Sequence, residues 1–188
     1  TNSKEIKLSH VHISNIKSIP GIYITKESDV TADNLTIHDI DETLLVCNSS
    51  SVLKLKDSNL YTTKANGIYI NKSNVDIQNC KVSETDYPAI FISESECVVK
   101  NNEITNIAQN GISLNICKSF VVSRNTLKDV KGSAISILDE SVGKASRNII
   151  TDIGGNGIYI GGNSDVKACK NVITNSQYPG IAVLMKSE

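Results

Sequence analysis

The sequence V-S-R-N-T-L at residues 122–127 returns as A-S-R-N-I-I at residues 145–150 and as A-C-K-N-V-I at residues 168–173. A related stretch, V-K-N-N-E-I, occupies residues 99–104. Four asparagines therefore recur at one fixed interval, at Asn102, Asn125, Asn148 and Asn171. A repeat of about 23 residues in a chain without helical heptads indicates a stacked solenoid, in which each repeat is one structural unit.

The repeat runs through nearly the whole chain. A second motif, Gly/Ala-Ile-x-Ile, marks the start of each unit, and successive starts are separated by about 23 residues, with a variation of one position in either direction. The starts are Gly21, Thr43, Gly67, Ala89, Gly111, Ala134, Gly157 and Gly180.

Each unit contains three short runs in which apolar and polar residues alternate, a period that predicts half-buried strands. The inward residues of the first run are Ile22/Ile24, Leu44/Val46, Ile68/Ile70, Ile90/Ile92, Ile112/Leu114, Ile135/Ile137, Ile158/Ile160 and Ile181/Val183. Three strands per unit form a triangular coil, and consecutive coils stack about 4.8 Å apart through parallel backbone pairing. The sequence therefore predicts an all-β chain with one domain over residues 1–188, built from eight such coils.

This pattern resembles the right-handed parallel β-helix repeat proteins, the group that includes pectate-lyase-like proteins and the NosD-like carbohydrate-binding and sugar-hydrolase domains. The resemblance covers about residues 4 to 188 and rests on the repeat motifs quoted above. It implies a parallel β-helix, a polysaccharide as partner, and an extracellular or cell-surface location. In the enzymes of the group, the substrate lies across the first-strand face, where acidic and basic side chains carry out the reaction.

The asparagines are interpreted as structural. They lie at the bend between the second and third strands, where one residue must adopt a left-handed or bridge conformation, and asparagine does so at low cost. Their amides can also bond to neighbouring coils. Earlier units carry Val11, Leu35, Ser58 and Cys80 in this position.

Composition limits the function classes. With 19 basic and 20 acidic residues the formal net charge is −1, so the sequence does not predict a nucleic-acid partner. No apolar stretch approaches the ~20 residues of a membrane span. Five cysteines without a C-x-x-C motif indicate free thiols and hence a reducing environment, against the extracellular location that the resemblance implies. Neither the cysteines nor the three histidines form a cluster that predicts a metal site.

The two ends of the chain lack a visible cap. A solenoid exposes unpaired backbone at its ends, and a polar cap usually covers it. The chain stops at Met185–Glu188, directly after a first-strand motif. We therefore expect a segment of a longer protein, or an open C-terminal coil that packs against another chain.

The outward residues of the first strand are the first place to look for a function. The residues between the paired inward positions are Tyr23, Leu45, Tyr69, Phe91, Ser113, Ser136, Tyr159 and Ala182. The next outward position holds Thr25, Cys47, Asn71, Ser93, Asn115, Leu138, Gly161 and Leu184. The aromatic column, Tyr23, Tyr69, Phe91 and Tyr159, is either a platform for sugar rings or a partner protein, or a ladder in which aromatic residues stabilise neighbouring coils.

Neither first-strand column contains a charged residue. Glycoside hydrolysis needs two carboxyl groups, and proton abstraction from a uronic acid needs a base beside a cation. The nearest carboxylates lie in the corner after the first strand, where solvation is the simpler interpretation; they are Glu27, Asp29, Glu94, Glu96, Asp139 and Glu140. A calcium site at the last four would have few ligands, so no cofactor is predicted.

A basic column stands beside the asparagines. Arg124, Arg147 and Lys170 directly precede three of them, and Lys144 and Lys167 repeat on the second strand. Like charges at one-coil spacing repel each other, so an acidic polysaccharide would be a suitable partner. Alternatively, the aliphatic parts of these side chains cover the sheet while the charged groups reach water.

Two hypotheses follow for the function. The first is a non-catalytic module that scaffolds or binds, with carbohydrate as the ligand on the aromatic or the basic column. The second is a part of a polysaccharide lyase, epimerase or glycoside hydrolase whose catalytic residues lie outside this segment. A carboxylate and a cation that converge over the first-strand face would favour the enzyme.

Overall fold

Three parallel sheets of eight strands each form the part of the chain that the computed structural model describes, residues 5–184. Every coil contributes one strand to each sheet, and strands of successive coils pair in register. The described residues contain no helix. The predicted all-β parallel solenoid with three strands per coil is therefore confirmed.

The predicted second strands form sheet A, the third strands form sheet B, and the first strands form sheet C. Sheet A contains β1 (Ile6–Ser9), β4 (Asp29–Asp33), β7 (Val52–Lys56), β10 (Asn74–Gln78), β13 (Glu96–Lys100), β16 (Ser119–Ser123), β19 (Val142–Ser146) and β22 (Asp165–Cys169). Sheet B contains β2 (His12–Ile16), β5 (Thr36–Ile40), β8 (Asn59–Thr63), β11 (Lys81–Thr85), β14 (Glu103–Ile107), β17 (Thr126–Val130), β20 (Ile149–Ile153) and β23 (Val172–Ser176). Sheet C contains β3 (Ile22–Ile24), β6 (Leu45–Asn48), β9 (Ile68–Asn71), β12 (Ile90–Ser93), β15 (Ile112–Asn115), β18 (Ile135–Leu138), β21 (Ile158–Gly161) and β24 (Ile181–Leu184).

The hydrophobic core is one column along the axis of the solenoid. Each inward side chain stacks on the equivalent side chain of the next coil, as Ile68, Ile90 and Ile112 do in sheet C. These three side chains are completely buried. Such stacking removes apolar surface from water in every coil, and it is possible only while the coils keep one register, since a slip of one residue turns the inward set outward.

The predicted register of the second coil was wrong by one residue. In β6, Leu45 and Cys47 point inward and pair with Ile68 and Ile70, while Val46 takes the outward place assigned to Leu45. The unit therefore starts at Leu44 rather than Thr43, which makes the first two units equal in length. Four consecutive apolar residues fit both phases of a period-two pattern, so alternation alone could not fix the register.

The last described strand leaves apolar side chains in contact with solvent. Ile181 and Val183 of β24 are 48% and 58% exposed, whereas the equivalent Ile158 of the preceding coil is buried. That this end packs against further protein stays a prediction. No helix among residues 5–184 is long and apolar enough to cross a lipid bilayer.

Candidate functional site

The asparagine ladder (Asn102, Asn125, Asn148 and Asn171) is a continuous chain of hydrogen bonds inside the solenoid. The Asn125 side-chain oxygen accepts from both the backbone N–H and the amide of Asn102, at 3.0 Å each. The Asn125 amide donates to the Val99 carbonyl at 2.9 Å and to the Asn148 side-chain oxygen at 3.1 Å. Asn148 and Asn171 repeat this arrangement one coil further on. The ladder satisfies backbone groups at a buried corner and so holds neighbouring coils together.

The left-handed residue at this corner is the one before each asparagine, not the asparagine as predicted. Asn101, Arg124, Arg147 and Lys170 have φ between 56° and 57°, and the asparagines that follow them have negative φ. The reason is geometric: the turn at the left-handed residue directs the next side chain inward, where its amide reaches the carbonyl groups of sheet A. The left-handed conformation costs more free energy for arginine and lysine than it would for asparagine.

The positions of Arg124, Arg147 and Lys170 are fixed by the same corner. The Arg124 N–H donates to the Ser146 carbonyl at 3.1 Å, and the Arg147 N–H donates to the Cys169 carbonyl at 3.2 Å. The three side chains are exposed at the edge between sheets A and B, one per coil. Coil stacking thus places three cations in a row about 4.8 Å apart.

Two lysines extend this row across sheet A. Lys144 on β19 and Lys167 on β22 are paired residues of adjacent strands, each three positions before the corner cation of its own coil. We call Arg124, Arg147, Lys170, Lys144 and Lys167 the basic cluster. Within residues 5–184, none of the five forms an ion pair. The structure therefore brings the predicted basic residues together on one surface, and none of the five is paired with a carboxylate of residues 5–184.

Only two of the four predicted aromatic residues of sheet C, Tyr69 and Phe91, face each other. The rings of Tyr69 and Phe91 are stacked, with centroids 5.3 Å apart and planes 11° apart. Because the stacking direction follows the solenoid axis, the facing surfaces of both rings are already covered. Tyr23 is 58% exposed, but Val46, which lies between it and Tyr69 in the register, is only 8% exposed and small. The aromatic column is therefore interrupted at Val46, and the contact between Tyr69 and Phe91 is one in which aromatic residues stabilise neighbouring coils.

The fourth aromatic residue, Tyr159, lies apart from the others. Ser113 and Ser136 separate it from Phe91 in the register of sheet C, and both serines are buried. Its ring lies over Gly161 of the same strand, within 3.4 Å of the position that a Cβ would take there. The four predicted residues thus do not form one continuous aromatic surface.

The second outward column of sheet C, which begins at Thr25, contains one more amide side chain than predicted. The corrected register places Asn48 in this column instead of Cys47. Asn48 and Asn71 occupy equivalent positions on adjacent strands, and Asn115 follows two coils later. The Asn48 amide donates to the Tyr23 hydroxyl at 3.0 Å. This face remains uncharged within the described residues, as the sequence indicated.

A second polar ladder, at the corner between sheets C and A, was not recognised in the sequence. In four of its links, a serine hydroxyl accepts the N–H of the equivalent residue one coil earlier: Ser51 from Ser28, Ser95 from Ser73, Ser141 from Cys117, and Ser164 from Ser141. Most of these hydroxyl groups also donate to a carbonyl two or three residues earlier in their own coil. The ladder consists of Ser28, Ser51, Ser73, Ser95, Cys117, Ser141 and Ser164. Because these residues recur at the interval of the repeat, the ladder could have been predicted from the sequence.

Of the predicted carboxylates after sheet C, four lie at left-handed positions on the outside of this corner, whereas Asp29 and Glu96 begin strands β4 and β13; the four are Glu27, Glu94, Asp139 and Glu140. Glu94 pairs with Lys72 at 3.5 Å, and Glu140 pairs with Lys118 at 2.8 Å, in each case across one coil. A groove of about 480 Å³ runs along the corner, and Glu94, Glu96, Lys72 and Lys118 are among its lining residues. No group of three or more His, Cys, Asp or Glu side chains suited to a metal occurs within residues 5–184.

The five cysteines are free thiols in the structure, and four of them are buried. Burial raises the pKa of Cys47, and it raises the pKa of Cys80 to about 11. The hydrogen bond with Cys117 and burial together raise the pKa of Cys97. Only Cys169 is half-exposed, on the outer side of β22.

These differences predict selective thiol labelling. At pH 8 the raised pKa values leave very little thiolate at Cys47, Cys80 and Cys97. The hydrogen bond with Cys97 lowers the pKa of Cys117, but that thiol is buried like the other three, so solvent does not reach it. A thiol reagent such as dithionitrobenzoate should therefore modify about one cysteine of the native chain, Cys169. All five should react after unfolding. Rapid native labelling of a Cys169→Ser variant would contradict this assignment.

Comparison with known proteins supports the architecture and leaves the ligand open. Residues 43–188 match the family model for the right-handed β-helix region. No curated protein matches the chain. No solved structure matches it either.

Proposed function

Since this chain belongs to the right-handed β-helix family, we propose that it is a non-catalytic module that binds an acidic polysaccharide along the basic cluster. The single observation that carries the proposal is the row of cations without ion-pair partners at Arg124, Arg147 and Lys170, flanked by Lys144 and Lys167. Several lysines elsewhere on the surface do pair with a carboxylate of a neighbouring coil, as Lys81 does with Glu103 at 2.9 Å.

The geometry of the cluster suits a linear polyanion. The solenoid repeats a cation every coil, about 4.8 Å apart, a length comparable to one sugar ring of an extended chain. An arginine can hold a carboxylate or sulfate group through two parallel hydrogen bonds. A bound polyanion would also remove the repulsion between stacked like charges, which is otherwise screened only by salt.

The basic cluster is a better candidate than the aromatic column. The Tyr69 and Phe91 rings cover each other's faces, so a sugar ring cannot lie flat between them. The arginines and lysines, in contrast, have no ion-pair partner within the described region, and Arg124 and Arg147 project into solvent from fixed backbone positions. Rigid attachment reduces the conformational entropy that binding would cost.

Binding to an immobilised acidic glycan tests the proposal. We expect the chain to be retained on polygalacturonate or heparin at low salt, and the Arg124→Ala/Arg147→Ala variant to bind at least about tenfold more weakly, since two charge-assisted contacts are lost. Lys54→Ala/Lys56→Ala is the matched control, because it removes two exposed cations from sheet A in the third coil. Equal losses in both variants, or no retention of the unmodified chain, would reject the basic cluster as the binding surface.

A catalytic role in a lyase, epimerase or hydrolase is the second candidate function. The observation in its favour is the groove between sheets C and A, where Glu94 and Glu96 lie beside Lys72 and Lys118. In the protein as described, however, Lys72 already neutralises Glu94. Formation of unsaturated uronate from polygalacturonate, measured by ultraviolet absorbance, would support this candidate if the Glu94→Gln/Glu96→Gln variant lost it.

A further inference from the structure

Two histidines meet on the outer face of sheet B at the N-terminal end of the solenoid. His12 begins β2 and His38 lies in the middle of β5, and their Nε2 atoms are 3.1 Å apart. They are not equivalent positions of the repeat, since His12 pairs with Thr36 and His38 pairs with Ser14. The two rings therefore approach diagonally across adjacent strands, with an angle of 88° between their planes.

The neighbours of His38 fix its orientation and its tautomer. The Asp39 carboxylate lies 2.7 Å from Nδ1, and a carboxylate accepts hydrogen bonds, so Nδ1 carries a proton. In the neutral ring the lone pair then lies on Nε2, the atom that faces His12. The Tyr61 ring stacks on His38 at 4.7 Å with an angle of 6°, which holds the imidazole plane in place. Only 16% of the His38 side chain is exposed.

This arrangement has the dimensions of a pair of metal ligands. An ion about 2.0–2.1 Å from each of two imidazole nitrogens that lie 3.1 Å apart makes an N–metal–N angle of about 100°. That angle lies between the octahedral and tetrahedral values. Two rings directed at such an ion would have their centroids about 4.8 Å apart, and the observed separation is 4.9 Å.

We propose that His12 and His38 form a binding site for a divalent transition-metal ion such as Zn²⁺, for which imidazole is a preferred ligand. In the metal-free protein, the His12 Nε2 proton is donated to His38. On binding, the ion takes the place of this proton, which returns to solvent while His12 acquires one on Nδ1, so both rings stay neutral. Asp39 acts as a positioning residue, because a carboxylate on the far nitrogen orients a histidine ligand and increases its basicity.

The remaining coordination positions would be filled by water, since residues 5–184 provide no third histidine, cysteine or carboxylate suited to the ion. A metal with open positions can exchange water for an oxygen ligand from a partner. The histidine pair lies in coils one and two, whereas the basic cluster lies in coils six to eight, so neither site depends on the other.

Calorimetric titration of the full chain with Zn²⁺ tests the site. We expect about one ion per chain, and binding at least about tenfold weaker in His12→Ala and in His38→Ala. His10→Asn is the matched control, because its ring contacts the Ser9 hydroxyl instead and asparagine tolerates the left-handed backbone of residue 10. This variant and Cys169→Ser should bind Zn²⁺ as the unmodified chain does.

A conservative change separates the role of Asp39 from a loss of structure. Asp39→Asn keeps the shape and suits the left-handed backbone at φ 53°, but it removes the charge behind His38. We expect Zn²⁺ affinity to fall about tenfold while the circular dichroism spectrum is unchanged. With Cu²⁺ as a second probe, electron paramagnetic resonance should detect coordinated imidazole nitrogen that the His12→Ala/His38→Ala variant lacks. Unchanged Zn²⁺ binding in that double variant, or none in the unmodified chain, overturns the proposal.

Discussion

Replacement of Asn125 with alanine is expected to lower the free energy of unfolding by about 4 kcal/mol. The Asn125 side chain is fully buried and takes part in four hydrogen bonds, two as acceptor and two as donor. Without it, the backbone N–H of Asn102 and the carbonyl of Val99 lose a partner in a region that water does not reach. Each buried group left unsatisfied costs about 1–3 kcal/mol, and the missing amide leaves a small void.

Chemical denaturation followed by far-ultraviolet circular dichroism measures this effect. Asn59→Ala is the control, because Asn59 is exposed on sheet B and its replacement should change stability by less than about 0.5 kcal/mol. Asn171→Ala should be intermediate, since Asn171 is only partly buried and ends the ladder. Equal costs for Asn125→Ala and Asn59→Ala would show that the ladder does not stabilise the stack.

The fold followed from the sequence because a solenoid imposes one register on every coil. Each inward isoleucine must contact the equivalent residue one coil later. The regular spacing of the repeat is therefore enough to predict the architecture. The register failed only where Leu44, Leu45, Val46 and Cys47 form an unbroken apolar run, in which both phases bury the same kind of side chain. There the pairing with β9, and not the local pattern, determines which residues face inward.

The candidate site was less accessible from the sequence. A column of aromatic residues predicts proximity but not ring orientation, so the sequence could not distinguish a sugar platform from the stack of Tyr69 on Phe91. The basic cluster was found because its members follow the repeat. The histidine pair was missed because His12 and His38 are 26 residues apart and occupy different repeat positions, so only the diagonal contact between strands brings them together.

Gly143 is the position in the core where added volume should be tolerated least. It points inward from β19 beside Phe120, its partner on β16. A Cβ at this position would lie 2.7 Å from two atoms of the Phe120 ring and even closer to the Phe120 carbonyl oxygen. The equivalent residue of the next coil is Val166, so the glycine compensates for the large ring that precedes it rather than for a special backbone conformation.

We therefore expect Gly143→Ala to cost about 2 kcal/mol and Gly143→Val about 3 kcal/mol or more. Gly161→Ala is the matched control on a neighbouring sheet, because its Cβ would meet only side-chain atoms, at 3.2 Å or more. It should cost less than about 1 kcal/mol.

A double-mutant cycle identifies the group that obstructs the Cβ. If the ring contributes, Gly143→Val will cost about 1 kcal/mol less in a Phe120→Leu background than in the unmodified chain. The rescue should be incomplete, because the Phe120 carbonyl oxygen belongs to the backbone of β16 and stays in place when the side chain changes. If the free-energy costs of Gly143→Val and Phe120→Leu simply add, the whole cost of the valine comes from that carbonyl. If Gly143→Ala costs no more than Gly161→Ala, the packing described between β16 and β19 is contradicted.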